Sequence, residues 1–266
     1  MLFVLGGLWL HPVTFSVTCL VILCGMLWEY YRIASRQGVR PQAVAGVAAS
    51  VAIYLLSLLV AARVVHHHYL FSALLVVPAI MIAGLFRKEE RVFDSLAHTI
   101  LPLLYITLPL CLMPFAAFFR EGPGAVTGSS LVSFTPLLVA GFFVLIWVND
   151  SAAYITGIGL GRTPLFRRMS PKKTWEGFFG GLVVTAAAGF LMARFSGVMD
   201  VWGWILAALV VSVAGTYGDL VESMLKRGAG IKDSGSFMPG HGGFLDRFDS
   251  AIISFPLFYI VVVMFA

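Results

Sequence analysis

Charge is scarce in this sequence: Asp, Glu, Lys and Arg together make up 12% of 266 residues, against 59% hydrophobic. A soluble domain of this length carries about 25% charged residues, and a large core does not account for the deficit. Where the charge is missing decides the class. Residues 1–28, 41–62, 64–86, 95–119, 122–149, 177–193, 201–218 and 250–266 contain none of the four. A helix crossing the hydrocarbon core needs about 20 mainly apolar residues, within a range of about 17–25, and all eight runs reach its lower bound. Period-2 alternation is lacking as well, which favours helices over a barrel, since a helix satisfies its own backbone groups in lipid. Cysteine is sparse: Cys19, Cys24 and Cys111 fall in apolar runs and are odd in number, so they read as small buried side chains, not a disulfide framework. No repeat of 20–50 residues, linker or low-complexity tract divides the chain. The opening Met1-Leu2-Phe3-Val4-Leu5-Gly6-Gly7 lacks a basic segment and a clear cleavage site, which argues against a removable signal peptide.

What is present fits an all-α polytopic integral membrane protein with about eight to nine transmembrane helices. Spans are expected at about 13–31, 41–61, 68–86, 97–119, 131–155, 176–195, 201–224 and 250–266, residues 1–10 being too few to cross before His11-Pro12. The first span closes on Trp28-Glu29-Tyr30-Tyr31-Arg32, read as an interfacial aromatic anchor with a basic stop. The simplest organisation is a single membrane domain over 1–266, with N-terminal helices in 1–125 and a catalytic half in 126–266. The formal net charge of +5 does not point to nucleic acid, because of where the cations sit. Loops 32–40, 87–94, 162–173 and 226–247 hold 15 of the 18 Lys and Arg residues, and the alternating connections have only Arg63, Arg120 and Arg194. If each run crosses once, the four basic loops share one side. The positive-inside rule makes that side cytoplasmic.

Ionisable groups at the edge of a span are expensive and so are functional candidates. Asp150 interrupts an apolar run, Asp219 and Glu222 lie three apart near the end of a span, and Asp246 and Asp249 repeat that spacing where the last helix begins. Residues three apart share a helix face. For any one of these acids the plain alternative is a helix cap or an ion pair, and an acid such as Asp249 is favoured at a helix N-terminus anyway. Between Asp219 and Asp249 lie Lys226, Arg227, Lys232 and Arg247, and His241 stands among glycines. Mg²⁺ is held by one or two carboxylates plus substrate phosphates, cations neutralise the remaining phosphate charge, and glycines let backbone N–H groups approach phosphate oxygens. The combination points to phosphoryl or nucleotidyl transfer. His66-His67-His68 reads instead as a solvated interfacial cluster, since consecutive helical residues point in different directions. Gly177, Gly180 and Gly181 allow close helix contact.

The run Ser223-x-Leu225-Lys226-Arg227-x4-Lys232-Asp233-x-Gly235-x3-Pro239-x-His241-Gly242-Gly243-x2-Asp246-Arg247-x-Asp249 resembles the signature of the phosphatidate cytidylyltransferase family. Met238 stands where that family usually has Leu or Ile, a volume-conserving departure. A second block, Asp150-x2-Ala153-Tyr154, Gly161-Arg162 and Ser170-Pro171-Lys172-Lys173-Thr174-x-Glu176-Gly177, is similar to the family's other recurring stretch. The likeness covers about residues 130–266. The first half matches in being transmembrane, with Trp28-Glu29-Tyr30 at a familiar place. The family normally has a full first helix, so residues 1–10 look like its tail, from a start set too late or a truncated chain.

The resemblance implies transfer of CMP from CTP to phosphatidic acid, giving CDP-diacylglycerol and pyrophosphate in phospholipid biosynthesis, at the cytoplasmic side of the inner (plasma) membrane. It implies Asp219 and Asp246 as ligands of Mg²⁺, alone or with a second cation, and catalytic roles for Lys226, Arg227, Lys232, Asp233, His241 and Arg247. Asp150, Ser170, Lys172, Lys173, Thr174, Glu176, Glu222, Ser223 and Asp249 are expected at the substrates, although Ser170 and Thr174 have a helix-capping alternative. The partners are then CTP, phosphatidic acid and membrane lipids. Small-residue helix faces permit a homodimer without requiring one. Rival readings are a related CTP-dependent membrane enzyme, either CDP-archaeol synthase-like or polyprenol kinase-like, and an ion-coupled transporter. The transporter reading calls for inverted repeats and acids at mid-membrane, and no repeat is visible. The paired Asp-x2-Asp-Gly-x2-Ala-Arg pattern of CDP-alcohol phosphotransferases is absent.

Overall fold

The structure is a computed structural model, and it describes residues 6–7, 11–119, 134, 136–231, 234–235 and 242–265. Eight helical segments among them are long and apolar enough to cross a membrane. The chain divides into two compact units, Met1–Phe118 with Gly228–Arg247, and Phe119–Arg227 with Phe248–Ala266. Residues 228–247 thus group with the N-terminal helices, although they follow 126 in sequence.

The first unit begins with α1, Pro12–Arg36. His11 caps it by accepting the Val13 N–H on Nδ1, and Pro12 takes the first helical position, where a missing N–H is harmless. Helix α2 spans Ala43–Ala61. Helix α3 starts as a 3₁₀ segment, His67–Leu75, and continues as an α-helix over Val76–Leu85. Helix α4 runs from Val92 to Ala117 with a π-helical turn at Leu103–Thr107. Pro109 follows that turn, and its ring clashes with the carbonyl four residues back while offering no N–H. The Thr107 hydroxyl lies 2.8 Å from Ser50 Oγ and 3.3 Å from the Pro102 carbonyl, giving the distorted turn local polar partners. Phe15, Leu23, Met26, Leu27, Tyr30 and Tyr54 form the buried interior of this unit. The supposed interfacial belt at 28–31 therefore splits. Trp28 is 69% exposed, whereas Tyr30 and Tyr31 are buried because their hydroxyls find partners on α4, at His98 Nδ1 and the Thr99 carbonyl.

The second unit contains α5, Leu137–Leu160, then a short antiparallel hairpin of β1, Pro164–Phe166, and β2, Ser170–Thr174. Its register pairs Pro164 with Thr174 and Phe166 with Ser170, with an irregularity between. Helix α6 spans Trp175–Ser196 and α7 spans Val201–Gly228. Helix α8 covers Leu245–Phe265, and from Phe248 onward it belongs to this unit. Phe142, Trp204, Phe255 and Phe258 fill the interior, with Phe142 and Phe255 edge to face at 4.8 Å. The glycine stripe on α6 does what its spacing suggested: a Cβ on Gly177 would sit 2.8 Å from the Ala153 carbonyl, and one on Gly181 2.9 Å from Asn149 Oδ1. Close helix approach of this kind substitutes packing for a hydrophobic driving force in lipid. Asn149 Oδ1 accepts from Ser212 Oγ at 2.6 Å and Thr185 Oγ1 at 3.5 Å, a buried polar knot joining α5, α6 and α7 one residue before Asp150. The outer side of α6 shows Phe179, Val183 and Leu191, an apolar surface suited to lipid.

Candidate active site

In the second unit, helix ends and the hairpin bring most of the expected residues together. Asp219 and Glu222 stand three apart on α7, and Asp249 lies in the first turns of α8. One carboxylate oxygen from each of Asp219, Glu222 and Asp249 lies within 4.8 Å of the others. Gly218 allows this approach, since a Cβ there would come 2.7 Å from the Asp249 carbonyl. Two lysines offset part of the repulsion within the cluster. Lys173 on β2 ion-pairs with Asp219. Lys226 pairs with Glu222 at 2.5 Å, where the Glu222 side chain is fully buried. Ser223 Oγ approaches Asp219 Oδ1 at 3.4 Å, and the Ser250 N–H donates to Asp249 Oδ1 at 2.6 Å.

A cavity of about 630 Å³ opens beside the cluster. Its lining mixes the charged side chains of Asp150, Lys172, Lys173 and Asp219 with the largely apolar ones of Tyr154, Ile158, Leu165 and Phe178. Asp150 feels the charges of both Lys173 and Asp219. Thr174 and Glu176 brace the hairpin. The Thr174 hydroxyl caps α6 by accepting the Gly177 N–H at 3.2 Å. Glu176 accepts the backbone N–H groups of Arg162 and Thr163 at 3.1–3.2 Å. An N-cap oxygen and a carboxylate in the first turn both suit the positive end of a helix dipole. Ser170 opens β2 and is half-buried. Arg227 lies in the last turn of α7 in the same unit.

Asp246 and Arg247 belong to the first unit. Asp246 accepts the Gly243 N–H at 2.9 Å, and the Ser234 N–H at 3.1 and 3.3 Å to its two oxygens, with Ser234 Oγ at 2.9 Å. Lys232, Asp233 and His241 lie outside the described residues. Sequence reasoning passed over Glu29, Ser234 and Asn149, all buried and hydrogen-bonded. Glu29 did carry a signal, as the only acid in the first 88 residues.

His66, His67 and His68 gather more closely than helical geometry suggests. His66 is extended and the helix that follows starts as a tight 3₁₀ turn, so the three rings meet, with centroids 3.6 Å apart for His66 and His68. Those two rings stack at 24°, presenting faces rather than nitrogens to each other, and all three are exposed. Desolvation and then the neighbouring His68 and His67 hold the His66 imidazole below its ordinary pKa.

The chain is 44% identical over 122 residues to a phosphatidate cytidylyltransferase of Staphylococcus epidermidis, covering 46% of this chain and 47% of the relative. It is 39% identical over 156 residues to one of Brucella suis, covering 58% of each. It is 40% identical over 121 residues to one of Haemophilus influenzae, covering 44% of this chain and 42% of the relative. The chain thus spans about half the length of the curated relatives it matches. A family model described as the cytidylyltransferase family matches residues 1–265. On that match, the chain belongs to the cytidylyltransferase family.

Proposed function

We propose that the protein is a phosphatidate cytidylyltransferase, joining CMP from CTP to phosphatidic acid at the cytoplasmic face of the inner (plasma) membrane. A phosphate oxygen of phosphatidate attacks the α-phosphorus of CTP. The bond from that phosphorus to the oxygen bridging to the β-phosphorus breaks, and pyrophosphate leaves as CDP-diacylglycerol forms. The nucleophile is already anionic, so catalysis consists of alignment and of neutralising charge on the phosphates. The observation that carries this reading is the cluster of Asp219, Glu222 and Asp249 beside Lys173, with Asp219 and Lys173 also lining a cavity that has both charged and apolar side chains around it. A lining of mixed character suits an amphiphile with an anionic head.

The donor set fits Mg²⁺. It is all carboxylate oxygen, as a hard cation prefers, and its 4.8 Å spread is little wider than the roughly 4 Å between opposite ligands of a Mg²⁺ ion. Asp219, Glu222 and Asp249 would hold the ion, which supplies charge neutralisation on the phosphates when bound. Lys172 and Lys173 orient phosphate from the hairpin, and Lys226 and Arg227 add charge from the end of α7. Asp246 and Arg247, with Lys232, Asp233 and His241, keep the roles that the family signature suggests. The cytoplasmic orientation is supported by the four basic loops.

Purified full-length protein in detergent, given labelled CTP, phosphatidate and Mg²⁺, is expected to release pyrophosphate and form a CMP-bearing lipid. Parallel reactions with an ether-linked phosphatidate and a polyprenol separate the related enzymes. No CMP-bearing lipid from phosphatidate overturns the reading.

A further inference from the structure

The proposed chemistry leaves one buried acid without a role. Glu29 lies on α1 with 5% of its surface exposed. Its carboxylate receives the Phe244 N–H on Oε1 at 3.0 Å and the Leu245 N–H on Oε2 at 2.8 Å, with Ser234 Oγ 3.0 Å from Oε2. Phe244 and Leu245 carry N–H groups at the start of α8, which no intrahelical carbonyl can satisfy. A side chain more than 200 residues away in sequence therefore caps that helix. The neighbouring backbone is fitted to this carboxylate. A Cβ on Gly243 would collide with both Glu29 oxygens, and one on Gly235 would lie 2.9 Å from Glu29 Cδ. One turn earlier on the same face of α1, Gly25 makes room for the Phe244 ring, which a Cβ would meet at 2.5 Å. Gly25 and Glu29 together form a seat for the segment that enters α8.

The connection continues to Asp246. Ser234 Oγ stands between the two acids, 3.0 Å from Glu29 Oε2 and 2.9 Å from Asp246 Oδ2, and the Ser234 N–H also reaches Asp246. The Gly243 N–H completes the hold on Asp246 Oδ2. Every one of these contacts lies within the first unit. We infer that Glu29 is a positioning residue: through Ser234 and the first turn of α8 it fixes the carboxylate of Asp246 for cytidylyl transfer. The inference rests on the function proposed above. Its requirement is specifically a carboxylate, because two backbone N–H groups point at two different oxygens. An amide at this position would turn an NH₂ toward one of those donors.

The test compares wild type, Glu29→Gln and Ser234→Ala as full chains in detergent, by steady-state kinetics and by hydrogen–deuterium exchange. Glu29→Gln is expected to lower kcat at least 10-fold, with the KM for CTP within about 3-fold of wild type. Exchange should accelerate over residues 243–250 and stay unchanged over α5 and α6. Ser234→Ala keeps the contacts of Glu29 to α8 but cuts its link to Asp246, so it should lower kcat by a smaller factor, with slow exchange retained over 243–250. An unchanged kcat in Glu29→Gln, unchanged exchange over 243–250, or faster exchange throughout the chain each overturns the inference, the last by showing a general scaffold role. If the wild type forms no CMP-lipid, the functional reading falls. The exchange comparison then still decides whether Glu29 holds this segment.

Discussion

The two units use the same functional group in opposite ways. In the first, the N–H groups of Ser234, Gly243, Phe244 and Leu245 and one serine hydroxyl point at the carboxylates of Glu29 and Asp246. In the second, Asp219, Glu222 and Asp249 face one another and the ammonium groups of Lys173 and Lys226. Neutral N–H donors arranged around a carboxylate fix its direction and hold a chain segment in place. Mutually close carboxylates are held at an electrostatic disadvantage that a divalent cation removes. The type of neighbour, more than burial, separates an acid whose direction is fixed by backbone donors from acids gathered where a cation can bind.

That contrast can be broken by substitution, beginning with the largest effect. Asp219→Asn should reduce turnover by about 10²–10³-fold at saturating Mg²⁺, the range seen when one electrostatic contact to a transition state is lost. Near-wild-type formation of CMP-lipid would remove Asp219 from the site. Lys173→Met should lower kcat/KM by about 10–100-fold, as loss of a charge-assisted hydrogen bond of about 1.5–3 kcal/mol implies. A third comparison removes the metal. Adding Mg²⁺ at about 100 times its Kd should stabilise the chelator-treated protein by about 2.7 kcal/mol in a thermal melt. Asp249→Asn should blunt that shift while raising the melting temperature in chelator, since it relieves repulsion. A variant that melts lower in chelator would mean the second unit's acids are structural after all. Asp246→Asn should behave in the opposite sense, losing about 1–3 kcal/mol in the melt because a buried N–H is left facing an amide. The smallest effect belongs to Thr174→Ala, about 1 kcal/mol for the lost cap of α6, read in the same melt.

Much of the fold was written in the spacing of charge. The eight apolar runs predicted eight spans because lipid tolerates few exceptions to helical, uncharged segments, and eight helices among the described residues meet that description. The hairpin at 164–174 was not legible, since three- and five-residue strands with prolines and lysines carry no alternation to read. The π turn in α4 was hidden for a similar reason: Pro102 and Pro109 mark a disturbance without specifying its form. At the site, the i, i+3 spacing of Asp219 and Glu222 announced a shared face, and the structure adds Asp249 to it. Glu29 was harder. Beside Trp28, Tyr30 and Arg32 it resembles the edge of a membrane anchor, and its partners come from a segment more than 200 residues later, a pairing no local pattern encodes.

The bracing of the hairpin by Thr174 and Glu176 bears on how the protein can be labelled. Its base is tied at both ends, by the contacts of Glu176 to Arg162 and Thr163 and by the cap on α6, while Arg167 and Arg168 at the turn are exposed. Extra residues are tolerated where exposed backbone has no structural duty. A short epitope between Arg167 and Arg168 should leave the strands paired. In sealed vesicles of known orientation, antibody access to that epitope would report directly which side of the membrane the lysine-bearing hairpin faces.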